Sequence, residues 1–246
     1  LQLDQVYREL GMDPAQVTDE VNLSTRHGHR IWRVCIGGES FVVKSFPDEP
    51  SAAVEIGAYR LLQELNIPTL QVYRMSDRAL LLEDLGASPR WRLALEEDID
   101  RSEVGAAVAR WYRRFHQQGS DFRQTPRQEA LILRRETEEL TEETISETAQ
   151  ALDLLGNPAW SVATDALALL KAAESRLSTT LNYNDFHWTN LAVGRESSEH
   201  LEATVFDFHL LGVGMRYSDC RNVISSLGSR AVDAFWAEYG RVDPRE

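Results

Sequence analysis

The chain contains no apolar run of about 18 residues or more, which is roughly what a membrane-spanning helix requires. Its first ten residues, LQLDQVYREL, lack the basic and apolar regions of a signal peptide, so we expect no secretory leader there. Only two cysteines occur, Cys35 and Cys220, and we expect two free thiols in a reducing cytoplasm rather than a disulfide. The motifs G-x-S-x-G, C-x-x-C and H-E-x-x-H are absent.

Positive charge is also scarce, because 26 Lys and Arg residues face 39 Asp and Glu residues and give a formal net charge of −13. A nucleic acid or an anionic membrane would be repelled by this charge, so neither is expected as a partner. A cationic small molecule would be attracted. The 246 residues, 43% of them hydrophobic, are enough to bury a substantial core.

The first third of the chain has the pattern of a β-rich unit with one helix. Two β-rich runs, 31–36 and 40–46, flank Gly37-Gly38 and predict a hairpin. An amphipathic helix is expected from an N-cap at Ser51 to about Leu65, because its apolar residues recur at three- and four-residue steps. A helix is also expected at 1–10, and strands at 70–73 and 79–83.

Beyond Gly86 the pattern becomes mainly helical, and we place a boundary there. Helices are expected from Ser102, across 134–150, at 165–177 and at 231–239, and short strands at 180–183, 191–193 and 203–206. Regular βαβα alternation is missing, which argues against a doubly wound sheet.

Lys44 lies on an apolar strand, and Glu55 lies on the helix that follows it. A lysine is rarely buried without a partner. A strand lysine held by a helix glutamate can present its ammonium group to the phosphates of a nucleotide. A lysine that extends to solvent would fit the same local pattern.

A second group of residues combines a loop, NDFHWTN, with an aspartate at the end of a later strand, TVFDF. Asn190 and Asp207 offer hard oxygen ligands of the kind that Mg²⁺ prefers, and Asp185 could accept a hydroxyl proton. Each residue alone could be a turn or strand-end residue. Together, in this order, they predict a functional site rather than a set of turn residues. His116, His200 and His209 show no metal-ligand spacing and are interpreted as structural.

These segments resemble the aminoglycoside phosphotransferase and choline kinase family. Its members typically carry an H-G-D-x-H-x-x-N loop, followed by a strand that ends in I-D-F or I-D-W. The chain reads Y-N-D-F-H-W-T-N and then V-F-D-F, so that Asp185, His187, Asn190 and Asp207 match. Asp219 falls where the family usually has a structural aspartate.

Two departures accompany the match, because Tyr183-Asn184 replaces the usual His-Gly and Trp188-Thr189 replaces a frequent Pro-Gly. The resemblance implies an α+β, two-lobed protein-kinase-like fold, with a β-rich N-terminal lobe that contains one helix and a mainly helical C-terminal lobe. Residues 1–86 would form the nucleotide-binding lobe. Residues 87–246 would form the helical lobe, with the catalytic loop and the acceptor site.

Further nucleotide contacts follow from the same resemblance. Leu80–Gly86, L-L-L-E-D-L-G, is similar to the family's hinge, which implies that backbone groups of Glu83, Asp84 and Leu85 bind the purine. The polar segment 22–30, ahead of the first hairpin, is similar to the family's nucleotide loop. Ser24 and Thr25 are its candidate nucleotide-binding residues.

The resemblance implies a small-molecule kinase that uses ATP or GTP and Mg²⁺. Lys44, oriented by Glu55, would bind the α- and β-phosphates, Asn190 and Asp207 would hold Mg²⁺, and Asp185 would take the acceptor's proton. A second interpretation is a nucleotide-binding pseudokinase that serves as a regulatory or interaction module. A protein kinase is a third, but the chain lacks a glycine-rich loop, H-R-D and an A-P-E-like segment.

The acceptor is not determined by these residues. Segment 134–150 contains six glutamates, which form either a solvated helix face or an acidic wall for a cationic substrate. The aromatic residues Trp91, Trp111, Tyr112 and Trp160 lie in the same region of the chain. Such a lining suits an aminoglycoside or an amino alcohol, and equally a neutral sugar.

Overall fold

The computed structural model describes residues 2–26, 28–125, 133–138, 140–174, 176–195 and 200–242. The chain begins with helix α1 (Leu3–Glu9) and a five-stranded antiparallel sheet in the order β1-β2-β3-β5-β4. Its strands are β1 (Val17–Arg26), β2 (His29–Ile36), β3 (Glu39–Ser45), β4 (Val72–Met75) and β5 (Ala79–Glu83). The hairpin predicted around Gly37-Gly38 is confirmed.

The two faces of this sheet have different roles, because side chains alternate along each strand. Val43 on β3 packs with Val6 and Tyr7 of α1, and these residues form a separate small core. The neighbours Val42 and Lys44 point to the opposite face and line a cavity. The alternation therefore brings Lys44 to the side of the sheet that faces the rest of the chain.

Helix α2 (Glu49–Glu64) crosses the cavity side of the sheet. Its N-cap is Asp48, whose Oδ1 accepts a hydrogen bond from the backbone N–H of Ser51 at 2.8 Å, so the predicted cap at Ser51 is wrong. A carboxylate accepts this bond well, and its negative charge interacts favourably with the positive end of the helix dipole. Asn66 follows the helix with a φ of 54° and reverses the chain ahead of Pro68.

The remaining helices are α3 (Ser102–Arg123), α4 (Glu142–Ala151), α5 (Pro158–Glu174), α6 (Arg216–Ser226) and α7 (Ser229–Tyr239). Helix α3 packs along α7, and the close approach depends on Gly105, where an added Cβ would lie 1.9 Å from the carbonyl oxygen of Ala231. The main core is continuous from α2 through α3 to α7, and it includes Tyr59, Phe115 and Phe235.

Two small sheets lie against α3, and four of their five strands come between α5 and α6 in the chain. One has the order β6 (Trp91–Leu93), β8 (Leu191–Gly194), β9 (Ala203–Val205), and the other pairs β7 (Thr180–Asn182) with β10 (Gly212–Gly214). The strands β6 and β10 were not predicted, because three residues are too few for a periodic pattern. The mixed α+β architecture with a β-rich first part is confirmed.

The helix predicted over 134–150 is wrong in its first half. Residues 133–135 run beside β10 and 136–138 form a turn, and here Glu136 N–H donates to Val213 O and Val213 N–H donates to Arg134 O. The hydroxyl of Thr141 accepts from the N–H of Thr144 and starts α4 only there. Glu142, Glu143 and Glu147 are exposed on α4, as a solvated face requires, while Glu139 lies outside the described residues.

The polar loop expected at 22–30 is mostly strand. Ser24 pairs with Ile31 and Thr25 with Arg30, because β1 and β2 continue to the turn around residues 27 and 28. His27 lies outside the described residues. Cross-strand pairing thus overrides the polar composition that suggested a loop. No helix in the described part of the chain is long and apolar enough to cross a membrane.

Candidate active site

Lys44 and Glu55 form a buried ion pair at the inner end of the cavity. The Nζ atom of Lys44 lies 2.6 and 2.8 Å from the two carboxylate oxygens of Glu55, whose side chain is 1% exposed. Burial by itself would lower the pKa of Lys44, but the charges of Glu55 and Asp207 outweigh it and raise the pKa. Lys44 therefore remains a positively charged ammonium group.

Asp207 meets this pair from the other side of the cavity. Its Oδ1 accepts from Lys44 Nζ at 2.7 Å, and its backbone adopts the left-handed region with a φ of 67°. Phe208 holds this turn in place, because its ring is fully buried against Tyr59 of α2 and against Tyr183, with ring centres 5.1 and 5.5 Å away. Although burial favours the neutral acid, hydrogen bonds from His209 and Lys44 lower the pKa of Asp207.

The catalytic loop brings Asp185 and Asn190 to the same place. Asn190 Nδ2 donates to Asp185 Oδ2 at 2.9 Å and to the Asp185 carbonyl at 3.2 Å. Burial raises the pKa of Asp185, and the negative charge of Asp207 adds to this rise, while His209 opposes it. A carboxylate with a raised pKa is better suited to take up a proton than an ordinary exposed aspartate.

The first departure of the loop from the family pattern, Tyr183-Asn184, is accommodated locally. Asn184 occupies the usual glycine position with a φ of 65°, which asparagine tolerates better than most residues. The phenol of Tyr183 donates to the backbone carbonyl of Phe206, directly before Asp207. A hydrogen bond between the catalytic loop and this strand therefore exists without the histidine.

Asp219 on α6 fixes the backbone of the catalytic loop through two hydrogen bonds. Its carboxylate accepts from the N–H groups of Tyr183 and Asn184 at 2.9 and 2.8 Å. His116 Nε2 donates to Asp219 at 3.0 Å, and Tyr239 donates to His116 Nδ1 at 2.7 Å. This buried chain links α3, α6 and α7 to the loop, so the structural interpretation of His116 fits its position.

His209 is the residue that the sequence analysis misplaced. Its Nδ1 lies 3.1 Å from Asp207 Oδ1 and 3.9 Å from Asp185 Oδ2, so the imidazole belongs to the site and is not a remote structural group. The hydrogen bond to Asp207 is the main reason that the pKa of His209 is raised. The available signal was its position two residues after Asp207, beside the site.

The cavity has a volume of about 380 Å³ and lies between the sheet and the strands of the second half. Its walls are apolar, from Val42, Leu70, Leu82 and Phe206 among others, and Lys44, Glu55 and Asp207 lie at one end. A flat heteroaromatic ring with a charged tail matches this division into an apolar and a polar end.

The predicted hinge residues line this cavity, and their side chains have other partners. Asp84 is buried and accepts from Arg33 Nε at 2.7 Å and Ser40 Oγ at 2.6 Å, and the Glu83 carboxylate accepts from Ser88 Oγ. The carbonyl of Leu85 accepts from Arg195 at 3.0 Å. These contacts attach the hinge to Arg33 of β2, Ser40 of β3 and Arg195.

Ser24 and Thr25 have a different placement. Both lie on β1, and among the described residues of that strand Leu23 lines the cavity while these two do not. Thr25 Oγ1 accepts from Asn22 Nδ2 at 3.0 Å. The structure thus brings Lys44 and Asp207 into contact, with the other predicted site residues around them. Ser24 and Thr25 do not line the cavity.

The donor atoms around Asp207 fit a divalent cation. Asn190 points its Nδ2 towards Asp185, so its Oδ1 is available as a metal ligand. Ligand atoms of Asp185, Asp207 and His209 all lie within 4.8 Å of one another. Carboxylate and amide oxygens are the ligands that Mg²⁺ takes in proteins, so the residues present suit such an ion.

The aromatic residues proposed as acceptor lining are mostly in the core. Trp111 and Tyr112 are buried on α3, where Trp111 stacks on Phe115 at 4.9 Å and its Nε1 donates to the carbonyl of Pro68 at 2.8 Å. Trp91 is 3% exposed. Trp91 and Trp111 nevertheless line a second cavity, whose lining does not include Lys44 or Asp207, so their role towards an acceptor stays a prediction; of the four, Trp160 alone is partly exposed.

A buried lysine–glutamate pair, a D-x₄-N loop and a strand-end aspartate around one cavity define a phosphotransferase with a two-lobed, kinase-like fold. The model of the family described as "Phosphotransferase enzyme family" matches residues 23–246. The chain therefore belongs to this phosphotransferase family. No curated protein matches it in sequence.

Solved structures show the same fold. An aminoglycoside-3′-phosphotransferase of type VIII is similar with a TM-score of 0.64 and 19% identity, over 98% of this chain and 94% of that one. Macrolide 2′-phosphotransferase MphH from Brachybacterium faecium has a TM-score of 0.62 and 15% identity, over 99% and 84%. Choline kinase LicA from Streptococcus pneumoniae has a TM-score of 0.57 and 13% identity, over 99% and 80%.

Proposed function

We propose that this phosphotransferase moves the γ-phosphoryl group of ATP or GTP onto a hydroxyl of a small molecule, with Mg²⁺ as cofactor. The observation that supports this most directly is that Lys44 and Asp207 meet in the lining of a largely apolar cavity, with Asp185 and its partner Asn190 next to Asp207. The cavity would take the purine and ribose, and the polar end would take the triphosphate.

Each side chain has a role that follows from its charge and its neighbours. Lys44, held by Glu55, binds the α- and β-phosphates, and the oxygens of Asn190 and Asp207 hold the cation. Bound Mg²⁺ supplies positive charge to the β- and γ-phosphate oxygens. Asp185 orients the acceptor hydroxyl and takes its proton, and backbone groups of residues 83–85 bind the purine edge.

The transition state of phosphoryl transfer is loose, so that positioning and electrostatics provide most of the acceleration. The hydrogen bonds that the N–H groups of Tyr183 and Asn184 donate to Asp219 serve the positioning, since they fix the backbone at the start of the catalytic loop. We assign the nucleotide to residues 1–86 together with the facing strands, and the acceptor to residues 87–246.

The acceptor is proposed as a polar small molecule that carries a hydroxyl, such as an aminoglycoside, an amino alcohol or a sugar. Structural neighbours are named as aminoglycoside and macrolide phosphotransferases and as a choline kinase. The net charge of −13 and the exposed glutamates of α4 favour a cationic acceptor over an anionic one. Both cysteines are free, in keeping with a reducing, cytoplasmic location.

Two measurements test this function. MgATP or MgGTP should raise the melting temperature, because a ligand that binds only the folded state stabilises it. Nucleotide turnover should then be followed against a panel of aminoglycosides, choline, sugars and nucleosides, and one acceptor should raise the rate.

The variant Asp185→Asn should lower kcat by roughly 10²–10⁴-fold while nucleotide affinity stays close to that of the wild type, because a proton acceptor is lost and the shape is kept. Asp233→Asn, on the exposed face of α7, is the matched control for the lost charge and should leave kcat unchanged. Nucleotide binding without turnover of any acceptor would instead support a pseudokinase.

A further inference from the structure

His209 is the one imidazole in the described part of the chain that shares its contacts with two carboxylates of the site. Its backbone directly follows Phe208, whose burial fixes the turn after Asp207. The side chain of His209 is 42% exposed, so it is not needed to fill the core. The imidazole of His209 therefore points towards Asp207 and Asp185 for a reason other than packing, and the chemistry of the site supplies one.

The spacing of the donor atoms matches the coordination sphere of one small cation. Bonds of about 2.1 Å in an octahedron place adjacent ligand atoms about 3.0 Å apart and opposite ones about 4.2 Å apart. His209 Nδ1 lies 3.1 Å from Asp207 Oδ1 and 3.9 Å from Asp185 Oδ2, and all three groups offer atoms within 4.8 Å of one another. One ion can thus contact the imidazole and Asp207 without a change of backbone, once the Nδ1 proton of the hydrogen bond to Asp207 has left to solvent and the metal bond has replaced that hydrogen bond.

The charges around Asp207 also favour a bound cation. Lys44 neutralises one side of Asp207, and the other side faces Asp185, so that two carboxylates meet with the imidazole between them. Two carboxylates close together favour a bound cation. An imidazole at this position can give a lone pair to that cation, whereas an ammonium or a guanidinium group could not.

We propose that Nδ1 of His209 is a direct ligand of the catalytic divalent cation, beside the carboxylate of Asp207, and that the site therefore prefers Mn²⁺ to Mg²⁺. Imidazole nitrogen suits transition metals, while Mg²⁺ prefers oxygen ligands. This inference rests on the proposed function, keeps Asn190 and Asp207 as oxygen ligands and leaves Asp185 as proton acceptor. It adds one nitrogen donor to these oxygen ligands.

Pulsed electron paramagnetic resonance of Mn²⁺ tests the bond itself, without any turnover. Protein labelled with ¹⁵N-histidine is mixed with Mn²⁺ and ADP, and the spectrum should show the coupling of a directly bound ¹⁵N nucleus. The label separates imidazole from the nitrogens of the nucleotide. His209→Ala should lose this coupling, and His187→Ala, an exposed histidine of the catalytic loop, should retain it.

Competition between the two metals gives a second readout. The ratio of the Mg²⁺ and Mn²⁺ dissociation constants should fall by roughly tenfold or more in His209→Ala, the scale at which lost metal contacts reduce affinity. His209→Asp should restore tight binding with an oxygen donor and no ¹⁵N coupling.

Bound Mn²⁺ without ¹⁵N coupling in the wild type, or coupling that persists in His209→Ala, would overturn the assignment of His209. If the same preparation still phosphorylates an acceptor, the proposed function is unaffected. Failure to bind Mn²⁺ with ADP at all, together with no turnover, would overturn both proposals.

Discussion

The phenol of Tyr183 donates its hydrogen bond to the backbone carbonyl of Phe206, and this contact ties the catalytic loop to the strand that precedes Asp207. Tyr183 is fully buried, and its ring also packs edge-on against Phe208. One side chain therefore holds both segments that supply the acidic groups of the site.

We expect Tyr183→Phe to lower the free energy of unfolding by about 1–2 kcal/mol, because the ring still packs while a buried carbonyl loses its donor. Chemical denaturation measures this change. Tyr217→Phe, where the phenol is on an exposed side chain, is the control and should change stability by less than about 0.5 kcal/mol. Equal effects of the two substitutions would contradict a stabilising role of the Tyr183 hydrogen bond.

Lys44 and Glu55 should behave as one unit in stability. Lys44→Met should cost about 3–5 kcal/mol, because it leaves the buried carboxylate of Glu55 without its partner. Adding Glu55→Gln in the same chain removes that uncompensated charge, so most of the lost free energy of unfolding should be recovered. The double variant still lacks Lys44 and should therefore not catalyse phosphotransfer. Urea denaturation of wild type, single and double variants gives the comparison. A double variant as unstable as Lys44→Met would disprove the coupling.

The left-handed backbone of Asn184 predicts an order among substitutions at this position. Asn184→Ala should destabilise the protein by about 1 kcal/mol. The left-handed backbone conformation is strained for a residue with a Cβ, and alanine lacks the short polar side chain whose local hydrogen bonds offset this strain in asparagine. Asn184→Gly should stay within about 0.5 kcal/mol of the wild type, since glycine adopts the conformation freely. Thermal unfolding of both variants decides the matter, and a glycine variant less stable than the alanine one would refute it.

Asp98 should contribute a pH-dependent part of the stability. Hydrogen bonds from Arg92 are the main reason that the pKa of this buried carboxyl is lowered in the folded state. Because the folded-state pKa lies below the unfolded one, the stabilisation is complete above about pH 4 and is lost as the pH falls through the folded-state pKa.

We therefore expect Asp98→Asn to be less stable than the wild type near neutral pH, by roughly 1–3 kcal/mol. The difference between the two proteins should narrow as the pH is lowered towards about 3. Urea denaturation across this range measures it. A difference that stayed constant or grew in acid would mean that the ionised carboxylate is not what stabilises the fold here.

The contact between α3 and α7 leaves no room for a methyl group at Gly105. Gly105→Ala should cost about 2 kcal/mol or more, because the new Cβ would meet the carbonyl of Ala231 at 1.9 Å and the helices would have to separate. Gly57→Ala is the matched control inside α2, where a Cβ meets nothing within 4 Å. It should stabilise the protein by about 0.5–1 kcal/mol. Thermal denaturation of both variants provides the test.

The sequence by itself determined those features that depend on neighbours along the chain. Two β-rich runs around Gly37-Gly38 define their hairpin, and the three- and four-residue spacing defines α2. The loop with Asp185 and Asn190, and the segment from β9 to Asp207, are short stretches whose residue types sufficed to recognise the family. Strands of three residues, such as β6 and β10, carry too little periodic signal.

Only the tertiary structure decided which atoms meet. Lys44 and Asp207 are separated by 163 positions in the chain, and the packing of α2 against Phe208 brings them to 2.7 Å. The same packing directs the side chain of His209 towards Asp207 and Asp185, which its position two residues after Asp207 could suggest but not establish. Contacts of this kind depend on the relative placement of whole elements, and burial in a shared core fixes that placement more than any local preference does.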